Sequence, residues 1–234
     1  MANFTLVQQT IGPVLSPDPL VQAFPADVTA GNCIVVVSFA ILGGLTGTPG
    51  ATTDITDSQG NQYYAVQGAA EFGAVQIYVA VNIGGGPLTV NGSGLGIVAF
   101  EYNSAAAPYY ICPGSALTFS PPPSISSDNT KFQSRIGSGT VFTSPAECLV
   151  VWGGCISATS PPWVASSGTV RYQGLCPGDF GGFQTGAGDD DVANVAVSYA
   201  NTITLSGSTA GYRCCIFFNL TNSRNILQVK NKRL

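Results

Sequence analysis

Histidine is absent from the 234 residues of this chain, and charged residues are scarce. Without histidine, no Ser-His or Cys-His nucleophile can be assembled, and metal sites that use imidazole are excluded. Charged residues make up 9% of the chain, against an average of about 25%. The surface must therefore consist mainly of uncharged polar groups, which suits either a protein that packs on neighbouring molecules or an ordinary secreted domain.

Long apolar segments and broad basic patches are also missing. No run approaches the roughly 18 apolar residues that a membrane-spanning helix needs, and residues 1–6 lack the basic region and apolar stretch of a signal peptide. The formal net charge is −4, and basic residues gather only in residues 224–233. We expect no membrane segment, no conventional export and no nucleic-acid partner.

An internal repeat is the most informative feature that is present. Residues 29–37 contain a turn of small residues, a cysteine and an unbroken apolar strand, and residues 144–152 contain the same succession. Further strand-like segments follow each copy at similar distances. No window of helical length shows an apolar stripe. The sequence therefore predicts an all-β fold, a two-sheet antiparallel β-sandwich of jelly-roll character built from two similar half-chains.

The repeat also predicts the domain organisation. We expect a single domain over residues 1–234, with an N-terminal half at 1–103 and a C-terminal half at 140–221. Residues 104–139, rich in proline and serine, are interpreted as a connection, and 222–234 as a polar basic tail. An interdomain linker at 104–139 is the alternative. A connection is favoured because each half by itself would leave one sheet face uncovered.

Three segments carry more specific strand predictions. Residues 33–42 are too continuously apolar for a half-exposed strand, so we expect both of their faces to be covered. Residues 4–11 alternate loosely and indicate an edge strand or arm. The cluster Asp57-Ser58-Gln59-Gly60-Asn61, followed by aromatic residues, predicts a β-hairpin over residues 55–64.

Acidic residues are the candidates for catalysis and for calcium binding. The glutamates are Glu71, Glu101 and Glu147, and two carboxylates facing one cleft are what a glycosidase requires. A structural role is expected for Glu101, which lies in an apolar strand. The run Gly188–Asp191 and the cluster of Asp54, Asp57 and Asn61 are oxygen-rich, as calcium sites are. Turn and strand roles are favoured over calcium at both, and we expect no cofactor and no metal.

The seven cysteines leave at least one thiol without an intrachain partner. None of their spacings gives a paired Cys-x-x-Cys zinc motif, and those in strands are expected to be small core residues. Cys112 and Cys176 each precede Pro-Gly, which indicates an exposed turn. We predict that these two form a disulfide, either within one subunit or between subunits.

Aromatic residues in the second half suggest a surface for contact with a partner. Trp163 follows Pro161 and Pro162 and is expected to be exposed in a loop, with Tyr172 nearby in the sequence. Exposed rings stack on the apolar faces of sugars, whereas core packing is the more common role of aromatic residues in a sandwich. Trp163 and Tyr172 are therefore candidates for an interface or for glycan contact.

Several of these segments together resemble a known family. The resemblance lies in Thr29–Val36, Thr56–Tyr63, Ile77–Asn82, Val98–Tyr102 and Ile216–Phe218. The chain resembles a family of jelly-roll-like β-sandwich domains, about two hundred residues long, that occurs in phage structural proteins and bacterial surface proteins. The resemblance implies an all-β sandwich and no catalytic set of residues.

These observations lead to one functional hypothesis and one alternative. We expect a non-enzymatic virion structural protein, most simply a phage capsid decoration or cement protein. It would be synthesised in the host cytoplasm, pack on the major capsid protein or another virion protein, and associate with its own copies as a homo-oligomer. The alternative is a carbohydrate-binding or adhesion module of a surface or tail protein, and a glycosidase ranks third.

Overall fold

The computed structural model of the chain describes residues 4–11, 20–41, 55–71, 73–92, 96–104, 109–111, 131–135, 146–157, 163–165, 168–176, 183–195, 200–205 and 213–222. These residues form sixteen β-strands, and none of them is helical. Every strand pairing is antiparallel. The predicted fold class is confirmed.

The N-terminal half forms one large and one small sheet. The five-stranded sheet has the order β1-β8-β3-β6-β5, and the three-stranded sheet has the order β2-β7-β4; we call them the first large sheet and the first small sheet. Their strands are β1 (Phe4–Ile11), β2 (Leu20–Ala23), β3 (Cys33–Ile41), β4 (Thr56–Asp57), β5 (Tyr64–Glu71), β6 (Gly73–Val81), β7 (Thr89–Gly92) and β8 (Gly96–Ser104).

The remaining strands form a second large sheet and a second small sheet. The five-stranded sheet has the order β13-β14-β11-β16-β9, and the three-stranded sheet has the order β10-β15-β12. Their strands are β9 (Tyr109–Ile111), β10 (Lys131–Arg135), β11 (Ala146–Ser157), β12 (Trp163–Ala165), β13 (Thr169–Cys176), β14 (Phe183–Val195), β15 (Ala200–Leu205) and β16 (Arg213–Asn222).

The two halves have the same strand order. Adding eight to each strand number of the first two sheets gives the second two sheets, strand by strand. The duplication predicted from the sequence is therefore present in the topology. In the N-terminal half, the large sheet contains the order β1-β8-β3-β6 and the small sheet has the order β2-β7-β4, which together are the pairing order of a jelly roll. The C-terminal half repeats this order with its corresponding strands. Strand β5 departs from that order, because it pairs with β6 at the edge of the large sheet.

The second half begins earlier in the chain than the sequence indicates. Strands β9 and β10 lie within residues 104–139, the segment interpreted as a connection, and they are the counterparts of β1 and β2. They are three and five residues long, too short for hydrophobic alternation to identify them. Residues 109–111 and 131–135 of that segment therefore belong to the sheets of the second half.

The hairpin predicted over residues 55–64 is wrong. Strand β4 pairs with β7 in the first small sheet, whereas β5 pairs with β6 in the first large sheet. The turn from Asp57 to Tyr63 therefore carries the chain from one sheet to the other. Turn-forming residues reveal a change of direction, but they do not reveal which strand the chain pairs with afterwards.

Strand β3 of the first large sheet is covered on both faces over residues 33–39, as predicted, and residue 42 of the predicted range lies outside the described residues. Cys33, Val35 and Val37 of β3 pack in a core shared with the second large sheet. The alternate residues Ile34 and Val36 pack in a core shared with the first small sheet. All five are buried completely. The second core lies within the N-terminal half, whereas the first joins the two halves.

The residues of β3 and β11 that face the shared core are offset by one residue from the alignment of the sequence repeat. The repeat aligns Cys33 with Cys148, yet the β11 residues in the shared core are Leu149 and Val151. The pairing of β11 with β14 changes register between Ala146 and Cys148. A change of one residue exchanges the two faces of a strand, so the repeated motif presents different members of its succession to the shared core in the two halves.

The two large sheets approach closely at Gly153 of β11. A β-carbon at this position would overlap the side chain of Val37 and press on Val75 of the opposite sheet. Gly153 is buried, and its φ is not in the left-handed region. Glycine is required here by the distance between the sheets, not by backbone conformation.

Replacing Gly153 with alanine should therefore destabilise the protein. We expect Gly153→Ala to lower the free energy of unfolding by about 1–3 kcal/mol, because the added methyl group forces the sheets apart. Urea unfolding followed by tryptophan fluorescence would measure the change. Gly84→Ala is the matched control, since its β-carbon would meet only the flexible end of Gln59. Equal stabilities of the two variants would contradict the proposed contact.

Candidate functional site

Three of the carboxylates that the structure describes are buried. The first, Glu101 of β8, holds the N-terminal strand β1 in place by hydrogen bonding. Glu101 is fully buried. Its Oε1 accepts hydrogen bonds from the backbone nitrogen of Thr29 at 2.8 Å and from Nδ2 of Asn32 at 2.5 Å. Its Oε2 accepts a hydrogen bond from Nε2 of Gln8 at 2.6 Å. Glu101 therefore joins β1 to the turn before β3, and both of its oxygens are engaged by protein donors.

The second buried carboxylate, Asp57, organises the turn between β4 and β5. Its Oδ1 accepts hydrogen bonds from the backbone nitrogens of Gln59 and Asn61 at 3.0 and 3.1 Å. Its Oδ2 accepts hydrogen bonds from Nδ2 of Asn61 and from the hydroxyl of Tyr63, both at 2.9 Å. Burial, and then the charge of Asp57, raise the pKa of Tyr63 well above its ordinary value. Four donors occupy Asp57, which supports the turn role over the calcium role.

The third buried carboxylate, Asp189 of β14, lies at the seam between the two large sheets. The Tyr102 hydroxyl of β8 donates a hydrogen bond to its Oδ2 at 2.6 Å. Arg171 of β13 donates from Nε to Oδ1 at 2.9 Å and to Oδ2 at 3.0 Å. Burial, and then the neighbouring Asp189 charge, raise the pKa of Tyr102 well above its ordinary value. This cluster is a polar connection between the two half-chains.

A cleft of about 240 Å³ opens beside this cluster. Its apolar wall consists of Phe4 and Leu6 of β1 and Leu149 of β11, and Tyr102 and Asp189 lie on its inner side. Gly168, Thr169 and Arg171 complete the lining. Gly168 and Thr169 are exposed, so this rim faces solvent. Five strands from both large sheets, together with Gly168, which precedes β13, form the cleft.

The cleft depends on the stacking of two edge strands. Strand β1 is at the edge of the first large sheet, and β13 is at the edge of the second. The side chain of Gln9 joins these edges, since its Nε2 donates a hydrogen bond to the backbone oxygen of Arg171 at 3.4 Å. Sequence reasoning did not identify Arg171 or Tyr102 as site residues. Asp189 was noted only as part of the run 188–191, because nothing local in the sequence links residues 87 positions apart.

The predicted aromatic contacts, Trp163 and Tyr172, lie in different sheets. Trp163 begins β12 in the second small sheet, where it pairs with Leu205, so its backbone is in a strand and not in a loop. Tyr172 belongs to β13 and is partly buried against the shared core. Its ring centroid is 6.2 Å from that of Phe39. Whether Trp163 contacts a partner or a glycan stays a prediction.

The predicted disulfide residues are only partly covered by the structure. Cys112 lies outside the described residues, and Cys176 is the last residue of β13. Strand β9, which ends just before Cys112, and strand β13 occupy opposite edges of the second large sheet. Whether Cys112 and Cys176 form a disulfide, within one subunit or between subunits, stays a prediction.

Cys33 of β3 illustrates the role of a strand cysteine. It is a free thiol in the shared core, and burial raises the pKa of its thiol far above the ordinary value. It is therefore a small core residue, as expected for the strand cysteines. The part of the chain that the structure describes contains no group of three or more acidic, cysteine or histidine side chains that could hold a metal ion.

The three glutamates that the sequence offers for a glycosidase pair lie in three different strands. The backbones of Glu71 and Glu147 lie in β5 and β11, and Glu101 is enclosed by its own donors. In the segment Gly188–Asp191, which was a candidate calcium site, Asp189 forms a salt bridge with Arg171. Asp54 of the other candidate lies outside the described residues.

The chain matches no protein-family model, no curated protein and no solved structure at a significant level. Within the described ranges, no helix is long and apolar enough to cross a membrane.

Removing the Tyr102 hydroxyl tests the polar seam. Tyr102→Phe should lower the free energy of unfolding by about 1–3 kcal/mol at neutral pH, because Asp189 loses a buried donor. In the unmutated protein, the unfolded chain loses the tyrosine proton above about pH 10 while the folded chain retains it. The unfolded state then binds fewer protons, so stability falls as pH rises, and this fall should be smaller in Tyr102→Phe.

Urea unfolding between pH 7 and 11 would measure both effects. Exposed Tyr64 provides the control, and Tyr64→Phe should change the stability at pH 7 by less than about 0.5 kcal/mol. A Tyr102→Phe protein as stable as Tyr64→Phe at pH 7 would argue against a stabilising role for the Tyr102–Asp189 hydrogen bond.

Proposed function

We propose that this protein is a non-enzymatic structural protein of a virion, a phage capsid decoration or cement protein that packs on the shell and on its own copies. The repeated eight-strand order carries the proposal, because jelly rolls are a recurrent architecture of viral capsid proteins. The fold alone supports several functions. The proposal therefore rests also on how this chain uses its polar residues and its surface.

The use of the buried carboxylates supports a structural role. Glu101, Asp57 and Asp189 each accept hydrogen bonds from at least two residues of the surrounding fold. Catalytic acids and bases need an oxygen within reach of the substrate. Carboxylates enclosed in this way stabilise strands, turns and the seam between the sheets.

The N-terminal strand supplies a surface for association. Strand β1 is at the edge of its sheet, and its Val7 and Ile11 are 46% and 41% exposed. An exposed sheet edge accepts an added strand from another chain. The register of β1 shifts between Leu6 and Gln8, and such a bulge limits regular pairing. We therefore assign to Val7 a role in side-chain packing against the partner. Residues 8–11 would pair with the added strand.

The proposed partners follow from this surface and from the cysteines. The protein is synthesised in the host cytoplasm, joins the virion, and contacts the major capsid protein or another virion protein together with its own copies. Bonds from Cys112 and Cys176 to neighbouring chains form after release into an oxidising exterior. Each bridge of this kind stabilises by roughly 2–4 kcal/mol.

The test is whether the protein occurs in particles through this surface. Virions from the source of the gene, purified by density gradient and analysed by mass spectrometry, should contain the chain, with disulfide-linked copies that disappear on adding reductant. A Val7→Asp, Ile11→Asp variant should associate with particles at least about tenfold less. Val164→Asp is the control, because Val164 is 49% exposed on another sheet. Absence of the chain from particles would overturn the proposal.

The alternative, a carbohydrate-binding or adhesion module, is favoured by the cleft at the seam, because jelly rolls also form lectins. The aromatic contact predicted from sequence provides a separate test of it. Under this alternative, Trp163→Ala should abolish binding to a glycan array, and association with particles does not bear on that result. Under the virion proposal, Trp163→Ala should leave particle association unchanged. The two assays on one variant distinguish the functions.

A further inference from the structure

Arg171 uses only part of its guanidinium within the fold. Its Nε atom donates to both oxygens of Asp189. Within the described part of the chain, no hydrogen bond to its terminal nitrogens Nη1 and Nη2 is present. The side chain is 31% exposed and lines the cleft. Up to four N–H donors of known planar geometry are therefore available at the cleft.

The charge of the arginine is already balanced. Asp189 is 4% exposed, and its carboxylate is in direct contact with Arg171. A ligand carboxylate or phosphate at Nη1 and Nη2 would lie near that buried negative charge, and like charges at short distance repel. The pair is net neutral, so it favours a ligand that accepts hydrogen bonds without carrying a negative charge. Hydroxyl oxygens meet this condition.

The other walls fit the same kind of ligand. The partly exposed Leu6 of β1 provides apolar surface on one side, and the exposed Thr169 offers a hydroxyl at the rim. The volume of about 240 Å³ equals that of about eight water molecules at ~30 Å³ each. This is room for a single sugar ring. A ring with hydroxyl groups at its edge and C–H groups on its faces presents both surfaces that the cleft offers.

We propose that the cleft between the two large sheets binds one neutral sugar residue. Arg171 donates from Nη1 and Nη2 to adjacent hydroxyl oxygens, Thr169 hydrogen-bonds at the rim, and Leu6 contacts an apolar face of the ring. Asp189 and Tyr102 act as positioning residues, because they fix the guanidinium through Nε and do not themselves have to touch the sugar. The inference does not depend on the virion proposal, since virion proteins and surface modules alike contact glycans.

The test is direct binding of free sugars to the intact chain. Glucose, galactose, mannose and N-acetylglucosamine are titrated by calorimetry and by saturation-transfer NMR, with glucuronate as the acidic comparison. At least one neutral sugar should bind, and glucuronate should bind more weakly than glucose. Arg171→Lys keeps the positive charge beside Asp189 but loses the planar fork, and should weaken binding about tenfold or more.

A pair of identical substitutions provides the control. Thr169→Val removes the rim hydroxyl and should weaken binding about threefold. Thr5→Val makes the same change at an exposed position of β1 that does not line the cleft, and should alter affinity less than about twofold. Circular dichroism establishes that each variant is folded, and Thr169→Val remains informative if Arg171→Lys does not fold.

Three results would overturn the inference. One is that no neutral sugar binds at concentrations up to tens of millimolar, the weak limit for single-sugar sites. Another is that Arg171→Lys and Thr169→Val bind as well as Thr5→Val, and the third is that glucuronate alone binds. Particle association is measured separately with the Val7 and Ile11 variant, so failure of one proposal leaves the other standing.

Discussion

Close packing of the two large sheets is the constraint on which the remaining structure depends. Gly153 allows β11 to lie against Val37 and Val75 of the opposite sheet, and the core between the sheets contains residues from both half-chains. Since the first large sheet is also covered by the first small sheet, water reaches neither face of β3. Each half of the duplicated chain thereby covers a face that the other half would leave exposed.

Burial on this scale determines what the acidic residues can do. A buried carboxylate is tolerated when hydrogen bonds or an opposite charge compensate for its lost hydration. Donors from β1 and from the turn before β3 compensate for the lost hydration of Glu101. Arg171 and Tyr102 compensate for that of Asp189. Both carboxylates thus hold separate segments together. At the solvent-facing edge of the seam, the terminal nitrogens of the partly exposed Arg171 remain available to a ligand.

The two proposals use different parts of the molecule for this reason. Particle association uses Val7 and Ile11, which are exposed on β1, whereas sugar binding uses Leu6 of the same strand, which lines the cleft. The register of β1 shifts between Leu6 and Gln8, so the residues on either side of this bulge do not follow one continuous alternation. One strand therefore contributes different residues to the two proposed surfaces.

Sequence alone determined the all-β class, the duplication and the double burial of residues 33–39, because hydrophobic periodicity and repetition are local properties of the chain. It did not determine the pairing partner of β5, the facing of β11, or the strands β9 and β10. Tertiary structure also decided the site. Tyr102, Arg171 and Asp189 come from different strands and two sheets, and they meet only because the large sheets stack. Their contact depends on that stacking and register, which no local sequence pattern encodes.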